Sequence, residues 1–365
     1  MSVVPALAPD AKIGILGGGQ LGRMLAQAAA QLGFSCHVFS PDPESCAFAV
    51  VRDITCAPYE DKAALAAFAK AVDLITYEFE NVPAETAAFL AERAPVVPNP
   101  DVLAITQDRL AEKDFLARLN IPTAPFAAIS SEAELSAAVS TIGLPAVLKT
   151  RRLGYDGKGQ RVITKTDDPL LAWEALAHAP CILEGYVAFE REVSVVAARA
   201  RDGQVACFDL TENEHRDHIL KISRVPAAVP GALAEEARRT AEAIAGAFHY
   251  VGVLAVEMFV IRDRADHFLM VNEIAPRVHN SGHWTLDGCS VSQFEQHIRA
   301  VAGWPIAVPV RRGRAEMVNL IGTEVQDYAG WLKVPGAAVH LYGKTGIRPG
   351  RKMGHVTQVF PDDAT

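Results

Sequence analysis

Two glutamates stand inside apolar, strand-like runs: Glu257 in Val253-Leu-Ala-Val-Glu-Met-Phe-Val260 and Glu273 in Phe268-Leu-Met-Val-Asn-Glu-Ile274. Burying an unpaired carboxylate is costly, so two near each other ask for a cation. Oxygen ligands combined with the phosphates of a nucleotide suit Mg²⁺, which takes only one or two protein carboxylates. With Asn272 adjacent, the pair points to a metal-bridged phosphate site in preference to two incidental salt bridges.

A second group lies upstream. Lys149 ends a strand-like run, and Gly154-Tyr-Asp-Gly-Lys-Gly-Gln160 follows it closely. Three glycines around Lys158 make a flexible loop whose amides and ammonium can close over a polyphosphate. The stretch is not a Walker loop, and a glycine-rich hairpin with a solvated lysine is the plainer alternative. Next, Cys181-Ile-Leu-Glu-Gly-Tyr-Val187 places Glu184 and exposed backbone at a strand end, where donors and acceptors can read an adenine edge. Glu192 could hold a ribose hydroxyl, though either acid alone is an ordinary surface group.

After Glu273 comes Ala275-Pro-Arg-Val-His-Asn-Ser-Gly-His-Trp284. The spacing of His279 and His283 is a weak zinc signal, because Gly282 argues against a helix and no third ligand is evident. The expectation is that no structural zinc is bound. Arg277, His279 and Asn280 make better sense as donors around an anionic substrate.

These groups need elements to carry them. Residues 1–100 alternate strand and helix patterns: Lys12–Leu16, Gln20–Leu32, Cys36–Phe39, Lys62–Ala71, Asp73–Tyr77 and Pro83–Arg93. Such alternation predicts a parallel sheet with helices on both faces. One helix is expected over Asp101–Leu119, capped by Asp101. A small α+β unit follows, with strands Ala146–Lys149, Arg161–Thr164 and Cys181–Glu184 and a helix Pro169–Ala177. Longer strands are expected at Glu192–Arg199, Val205–Leu210, Val253–Val260 and Phe268–Asn272, with a helix Ala232–Phe248 between them. Short strands and basic turns fill the rest.

Gly17-Gly-Gly-Gln-Leu-Gly22 fits the dinucleotide pattern G-x-G-x-x-G after Ile13–Leu16. The acid that should follow about 20 residues on arrives late, at Asp42 behind Pro41. A helix N-terminus binds any phosphate, so the turn alone does not make a nicotinamide enzyme.

The chain has 365 residues, half of them hydrophobic, and a net charge of -8 from 35 basic and 43 acidic side chains. No basic block suggests nucleic-acid binding. The six cysteines are scattered without a C-x-x-C pair, as expected of buried thiols in a reducing cytosol. No signal peptide or membrane-spanning run is seen, so a cytoplasmic protein is expected, with neither nucleic acid nor membrane as partner.

Taken together the motifs resemble those of the ATP-grasp ligases, and within them the N5-carboxyaminoimidazole ribonucleotide synthetases of purine biosynthesis. Matching stretches are Gly17–Leu25, Thr76-Tyr-Glu-Phe-Glu-Asn-Val82, Gly154–Gln160, Glu212-Asn-Glu-His215, Asn272–Thr285, Ser292-Gln-Phe-Glu-Gln-His297 and Arg348–His355, which together span nearly the whole chain. The resemblance implies an α/β and α+β multidomain protein. Its parts would be an N-terminal Rossmann-like domain over 1–100, an ATP-grasp region over 101–302 with a lid at about 126–187, and a C-terminal substrate-phosphate-binding portion over 303–365. It implies an ATP site at Arg109, Lys149, the loop of Gly154, Tyr155, Asp156, Gly157, Lys158, Gly159 and Gln160, the hinge of Glu184, Gly185, Tyr186 and Val187, then Glu192, His215, Asn272 and Glu273. Glu257 and Glu273 match the magnesium ligands.

The implied reaction joins bicarbonate to the amino group of 5-aminoimidazole ribonucleotide with ATP, through carboxyphosphate. The ribonucleotide would be met by Gln20, Glu78, Tyr155 and Asp156, with its phosphate gripped by Lys344, Arg351 and Lys352. Arg277, His279 and Asn280 are assigned to bicarbonate and the carboxylated intermediate. A homodimer is the family's habit. Another ATP-grasp carboxylase, such as a biotin carboxylase, or a formate-dependent glycinamide ribonucleotide ligase would keep the fold, but Arg277–His283 argues against both. A nicotinamide oxidoreductase leaves the Gly154 loop and the paired acids unexplained, and a non-catalytic nucleotide binder would show gaps at Lys149, Glu257 or Glu273.

Overall fold

The computed structural model describes residues 5–154, 157–264 and 266–362. Its first sheet is parallel, in the order β3 (Asp53–Cys56), β2 (Ser35–Ser40), β1 (Lys12–Leu16), β4 (Leu74–Tyr77). β1 and β4 are apolar on both faces and almost wholly buried, as central strands of a helix-covered sheet must be. Helices α1 (Gln20–Gln31), α2 (Lys62–Lys70) and α3 (Ala84–Ala91) follow in the expected alternation. β3 has polar alternate positions and was not legible as a strand.

The expected helix over Asp101–Leu119 is instead two helices, α4 (Pro100–Thr106) and α5 (Arg109–Arg118). Asn99, not Asp101, caps the first. Asp108 breaks the run because its carboxylate accepts from the amides of Leu110 (3.0 Å) and Ala111 (3.4 Å), satisfying donors that only a new helix start exposes. Arg109 thereby becomes the first residue of α5.

A second, antiparallel sheet holds β5 (Phe126–Ile129), β6 (Ala146–Thr150), β7 (Gln160–Ile163) and β8 (Cys181–Gly185), in the order β5-β8-β6-β7. Helices α6 (Glu132–Ile142) and α7 (Pro169–Glu174) pack on it around Leu135, Leu148, Trp173 and Leu183. α6 is additional to the elements expected from the sequence, and Ser131 caps it through the Glu134 amide (3.3 Å).

The third sheet has nine strands and is antiparallel: β9 (Arg191–Arg199), β10 (Val205–Cys207), β11 (Thr211–Arg216), β12 (Ile219–Val225), β13 (Gly252–Asp263), β14 (Asp266–Ala275), β15 (Arg314–Ile321), β16 (Ala337–Leu341) and β17 (Lys352–Phe360). Its order is β14-β13-β9-β11-β12-β15-β17-β16, with β10 on β9. Residues after 303 thus join the same sheet through β12 and β15, and β15 and β17 are longer than the short strands expected there. β10 ends three residues before the expected Leu210. Helix α8 (Gly231–Ala247) covers one face; α9 (Thr285–Gly288) and α10 (Gln293–Ala302) lie on the other side, with α10 packed between α1 and β13. Among the described residues no helix is long and apolar enough to cross a membrane.

Candidate active site

A cavity of about 590 Å³ opens where the C-terminal ends of β1 and β4, the β6–β7 loop and the β13–β14 ladder converge. The parallel sheet contributes Gly17–Gln20 and Glu78. Gly17 takes a φ of 107°, and a side chain there would sit 2.5 Å from Glu78. The glycines are therefore needed to admit a carboxylate, which accepts from the amides of Gly19 (2.8 Å) and Gly22 (3.1 Å). Burial raises the Glu78 pKa against the pull of these two donors. The dinucleotide reading fails here, because an acid of the protein already occupies the helix N-terminus that would take a pyrophosphate. Gln20 lines the same wall.

On the opposite wall Glu257 and Glu273 are direct partners across β13 and β14. The register slips just beyond them, pairing Glu257 with Glu273 but Met258 with Val271, so Asn272 is the extra residue of a bulge. Neighbouring strand residues ordinarily face opposite ways; the bulge lets Asn272 and Glu273 both line the cavity. The premise of unpaired, fully buried acids needs correction. Glu257 meets His279 Nε2 at 3.0 Å and Glu273 meets Arg109 at 3.0 Å, with the side chains 19% and 39% exposed. Burial alone would raise Glu257, but the His279 hydrogen bond holds it at about 2. Among the described residues no group of three His, Cys, Asp or Glu could hold a metal ion. Two carboxylates with an amide oxygen beside them still fit Mg²⁺, whose remaining positions go to phosphate oxygens and water.

Arg109 also donates to the Gly154 carbonyl (3.2 Å), fastening the loop to β14. Of that loop, Gly154, Gly157, Lys158 and Gln160 line the cavity, and Gly159 takes a φ of 70°. Tyr155 and Asp156 lie outside the described residues. Lys149 reaches Glu184 at 2.9 Å, with Lys113 at 4.0 Å from the same oxygen. Burial raises Glu184, but the two ammonium groups hold it below the usual carboxylate range. Its other oxygen is buried without a hydrogen-bond partner. The hinge does not line the cavity: the Gly185 amide is bonded to Pro125 (2.8 Å) and that of Tyr186 to Pro145 (3.1 Å), which leaves Val187 beyond them. Glu192 and His215 do line it and are hydrogen-bonded to each other.

Arg277 is ion-paired with Glu80, and burial opposes but does not prevent a raised guanidinium pKa there. Asn280 is buried at the cavity wall with neither amide atom bonded, a polar group awaiting a partner. Across the opening Lys344 donates to the Lys352 carbonyl (2.7 Å) and Arg351 to that of Gly346 (3.0 Å). All three basic side chains line the cavity, although they come from the far end of the chain.

The full-length comparison decides the family. A curated N5-carboxyaminoimidazole ribonucleotide synthase from Brucella melitensis is 51% identical over 358 residues, 98% of each chain. The chain belongs to the N5-carboxyaminoimidazole ribonucleotide synthase family. Family models match in three segments: a ribonucleotide synthetase preATP-grasp domain over residues 10–107, an ATP-grasp domain over 114–294, and a phosphoribosylaminoimidazole carboxylase C-terminal domain over 315–365. The crystal structure of N5-carboxyaminoimidazole ribonucleotide synthetase from Thermus thermophilus superposes with a TM-score of 0.89 at 46% identity, covering 95% of this chain and 93% of that one. A synthase from Aspergillus clavatus in complex with ADP and 5-aminoimidazole ribonucleotide gives 0.89 at 32% identity, covering 97% and 95%. The ATP-grasp fold read from the motifs is thereby established.

Within this synthase fold, sequence reading missed Glu80, which holds Arg277, and the buried neighbours Glu112 and Lys113. Lys113 donates to the Asn272 carbonyl (2.8 Å), and Glu112 accepts from the Ile274 amide (3.3 Å), so α5 grips the bulged strand from behind. Burial pushes Glu112 up to about 8. The available signal was an adjacent acid and base on a helix face that otherwise buries Phe115 and Leu116. His283, the second histidine of the suspected zinc spacing, is buried against Gln293 rather than at the cavity.

Proposed function

We propose that the chain carboxylates the amino group of 5-aminoimidazole ribonucleotide with bicarbonate and ATP, releasing N5-carboxyaminoimidazole ribonucleotide, ADP and phosphate for purine biosynthesis. The observation that carries this reading is one cavity lined at once by paired carboxylates, a glycine-lysine loop and a separate basic cluster. Two phosphate-binding regions on opposite walls suit a nucleotide triphosphate and a ribonucleotide held together.

Arg109, Lys149, Lys158 and the loop amides would face the triphosphate. Glu192 with His215 would meet the ribose, and Glu184, Gly185, Tyr186 and Val187, which stand outside the cavity lining, would meet the base where the nucleotide extends past that lining. Mg²⁺ held by Glu257 and Glu273, with Asn272 beside them, would offset charge on the transferring phosphoryl group. A bicarbonate oxygen attacks the γ-phosphorus, the bond to ADP breaks, and carboxyphosphate forms. Arg277, His279 and Asn280 hold bicarbonate and then the mixed anhydride; the open amide of Asn280 supports that placement. The substrate nitrogen takes the carboxyl carbon, the bond to phosphate breaks, and the nitrogen gives up a proton.

Gln20, Glu78, Tyr155 and Asp156 would orient the aminoimidazole, and Lys344, Arg351 and Lys352 its phosphate. In this reading residues 1–100 bind substrate, about 126–187 close as a lid over ATP, and 303–365 supply the phosphate grip. The enzyme is proposed to work in the cytoplasm as a homodimer. The test is phosphate release from ATP with 5-aminoimidazole ribonucleotide and bicarbonate, each omitted in turn. Release that needs both supports the reading, and equal release without the ribonucleotide sinks it.

A further inference from the structure

The Ser292–His297 stretch lies outside the cavity, yet its first glutamine reaches an active-site residue. Gln293, fully buried at the start of α10, accepts at Oε1 from the His279 amide (2.8 Å) and donates from Nε2 to the His279 carbonyl (2.6 Å). A backbone N–H can only donate and a carbonyl can only accept, so the side-chain amide has one allowed orientation. His283 Nδ1, 3.0 Å from the same nitrogen, is then an acceptor. The Gln293 backbone amide is fixed in turn by Thr285 Oγ1 (3.0 Å). Gly282 leaves the room: a β-carbon there would stand 2.7 Å from Oε1.

Residues 276–284 make no sheet ladder, so without this clamp the His279 amide has no partner and its carbonyl keeps only the Gly282 turn bond (3.0 Å). We infer that Gln293 is a positioning residue for the carboxylation chemistry, setting the His279 imidazole against Glu257 at the cavity wall. This rests on the proposed role of His279. Neither the ATP loop nor the basic cluster touches Gln293, so its loss should reach the chemical step and spare substrate binding.

The test compares steady-state turnover of Gln293→Ala, Gln293→Glu and Gly282→Ala with the parent. Gln293→Glu keeps the acceptor for the His279 amide but loses the donor to its carbonyl, and Gly282→Ala crowds the clamp without removing it. The expected result is a kcat about tenfold lower in each, with KM for ATP and for 5-aminoimidazole ribonucleotide within about twofold of the parent. In a His279→Ala background, Gln293→Ala should change the residual kcat by less than about twofold, because residues acting as one unit are not additive. An unchanged kcat in any folded variant, or a further full loss on His279→Ala, overturns the inference. If the glutamine variants do not fold, Gly282→Ala carries the same two outcomes. A His279→Ala enzyme as active as the parent instead removes His279 from the site, a failure of the functional reading distinct from additive losses.

Discussion

The carboxylate of Glu78 caps the glycine turn by accepting from the Gly19 amide at 2.8 Å, with the Gly22 amide at 3.1 Å on its other oxygen. The turn that imitates a dinucleotide site is thus closed by an acid brought from the end of β4. In Glu78→Gln one of these two donors would face an NH₂ group. The expected outcome is a loss of about 1–3 kcal/mol in stability from the unsatisfied amide. KM for the ribonucleotide should rise about tenfold while that for ATP stays within about twofold. Urea unfolding and initial rates check both.

Lys113 supports from behind the strand that carries Asn272 and Glu273. Replacing it by Met strips the Asn272 carbonyl of its 2.8 Å donor and leaves Glu184 with Lys149 as its remaining close cation. Breaking such a buried arrangement from one side costs about 3–5 kcal/mol. The variant should unfold at lower denaturant and show a KM for ATP raised about tenfold or more. An unaltered KM for ATP would separate Lys113 from the nucleotide wall.

The proposed phosphate grip has an alkaline limit. Burial pushes Lys344 down to about 8, with Cys46 and Glu78 drawing it up and Arg351 and Lys352 pressing it further down. The free enzyme carries the ammonium below that value and loses it above. KM for the ribonucleotide should therefore be flat below pH 7 and rise above 8, approaching tenfold per pH unit as protonation becomes limiting. Lys344→Arg should move the rise upward, since guanidinium stays charged. A pH profile of kcat/KM measures it.

His297 joins the two halves of the molecule, accepting from the Val253 amide at Nδ1 (3.1 Å) and meeting Thr76 Oγ1 from Nε2 (2.8 Å). Burial pushes its pKa down to about 3. The neutral ring is the folded form, while the unfolded chain takes a proton near 6.5. This contribution is complete above pH 6.5 and is lost as pH falls toward 3, at up to about 1.4 kcal/mol per pH unit. His283 and His355, also driven down by burial, act with the same sign. Between pH 6.5 and 5 the stability slope of His297→Gln should be smaller than the parent's by about 1.1 kcal/mol per unit on average. Equal slopes would contradict the assignment.

The sequence carried much of this site because its chemistry sits in contiguous runs: the Gly154 loop and Asn272–Trp284 each pack several functional types into a few residues. Strand patterns were readable where burial is two-sided, as in β1 and β13. The remainder depended on long-range partners. Nothing near Asp108 announces that its side chain splits a helix, nor near Lys113 that it supports a bulge over 150 residues away. Glu257 and Glu273 were found through their apolar surroundings, but their partners His279 and Arg109 belong to other elements. For the basic side chains of residues 344–352 the family resemblance alone points to the cavity, and β17 with the turn before it brings them there.

The most direct measurement follows oxygen from ¹⁸O-labelled bicarbonate during turnover with ATP and 5-aminoimidazole ribonucleotide. If bicarbonate attacks the γ-phosphate, cleavage of carboxyphosphate at carbon leaves a bicarbonate oxygen on each phosphate released. Labelled phosphate formed in step with N5-carboxyaminoimidazole ribonucleotide is the predicted result. Unlabelled phosphate, or labelled phosphate with no carboxylated product, would contradict it.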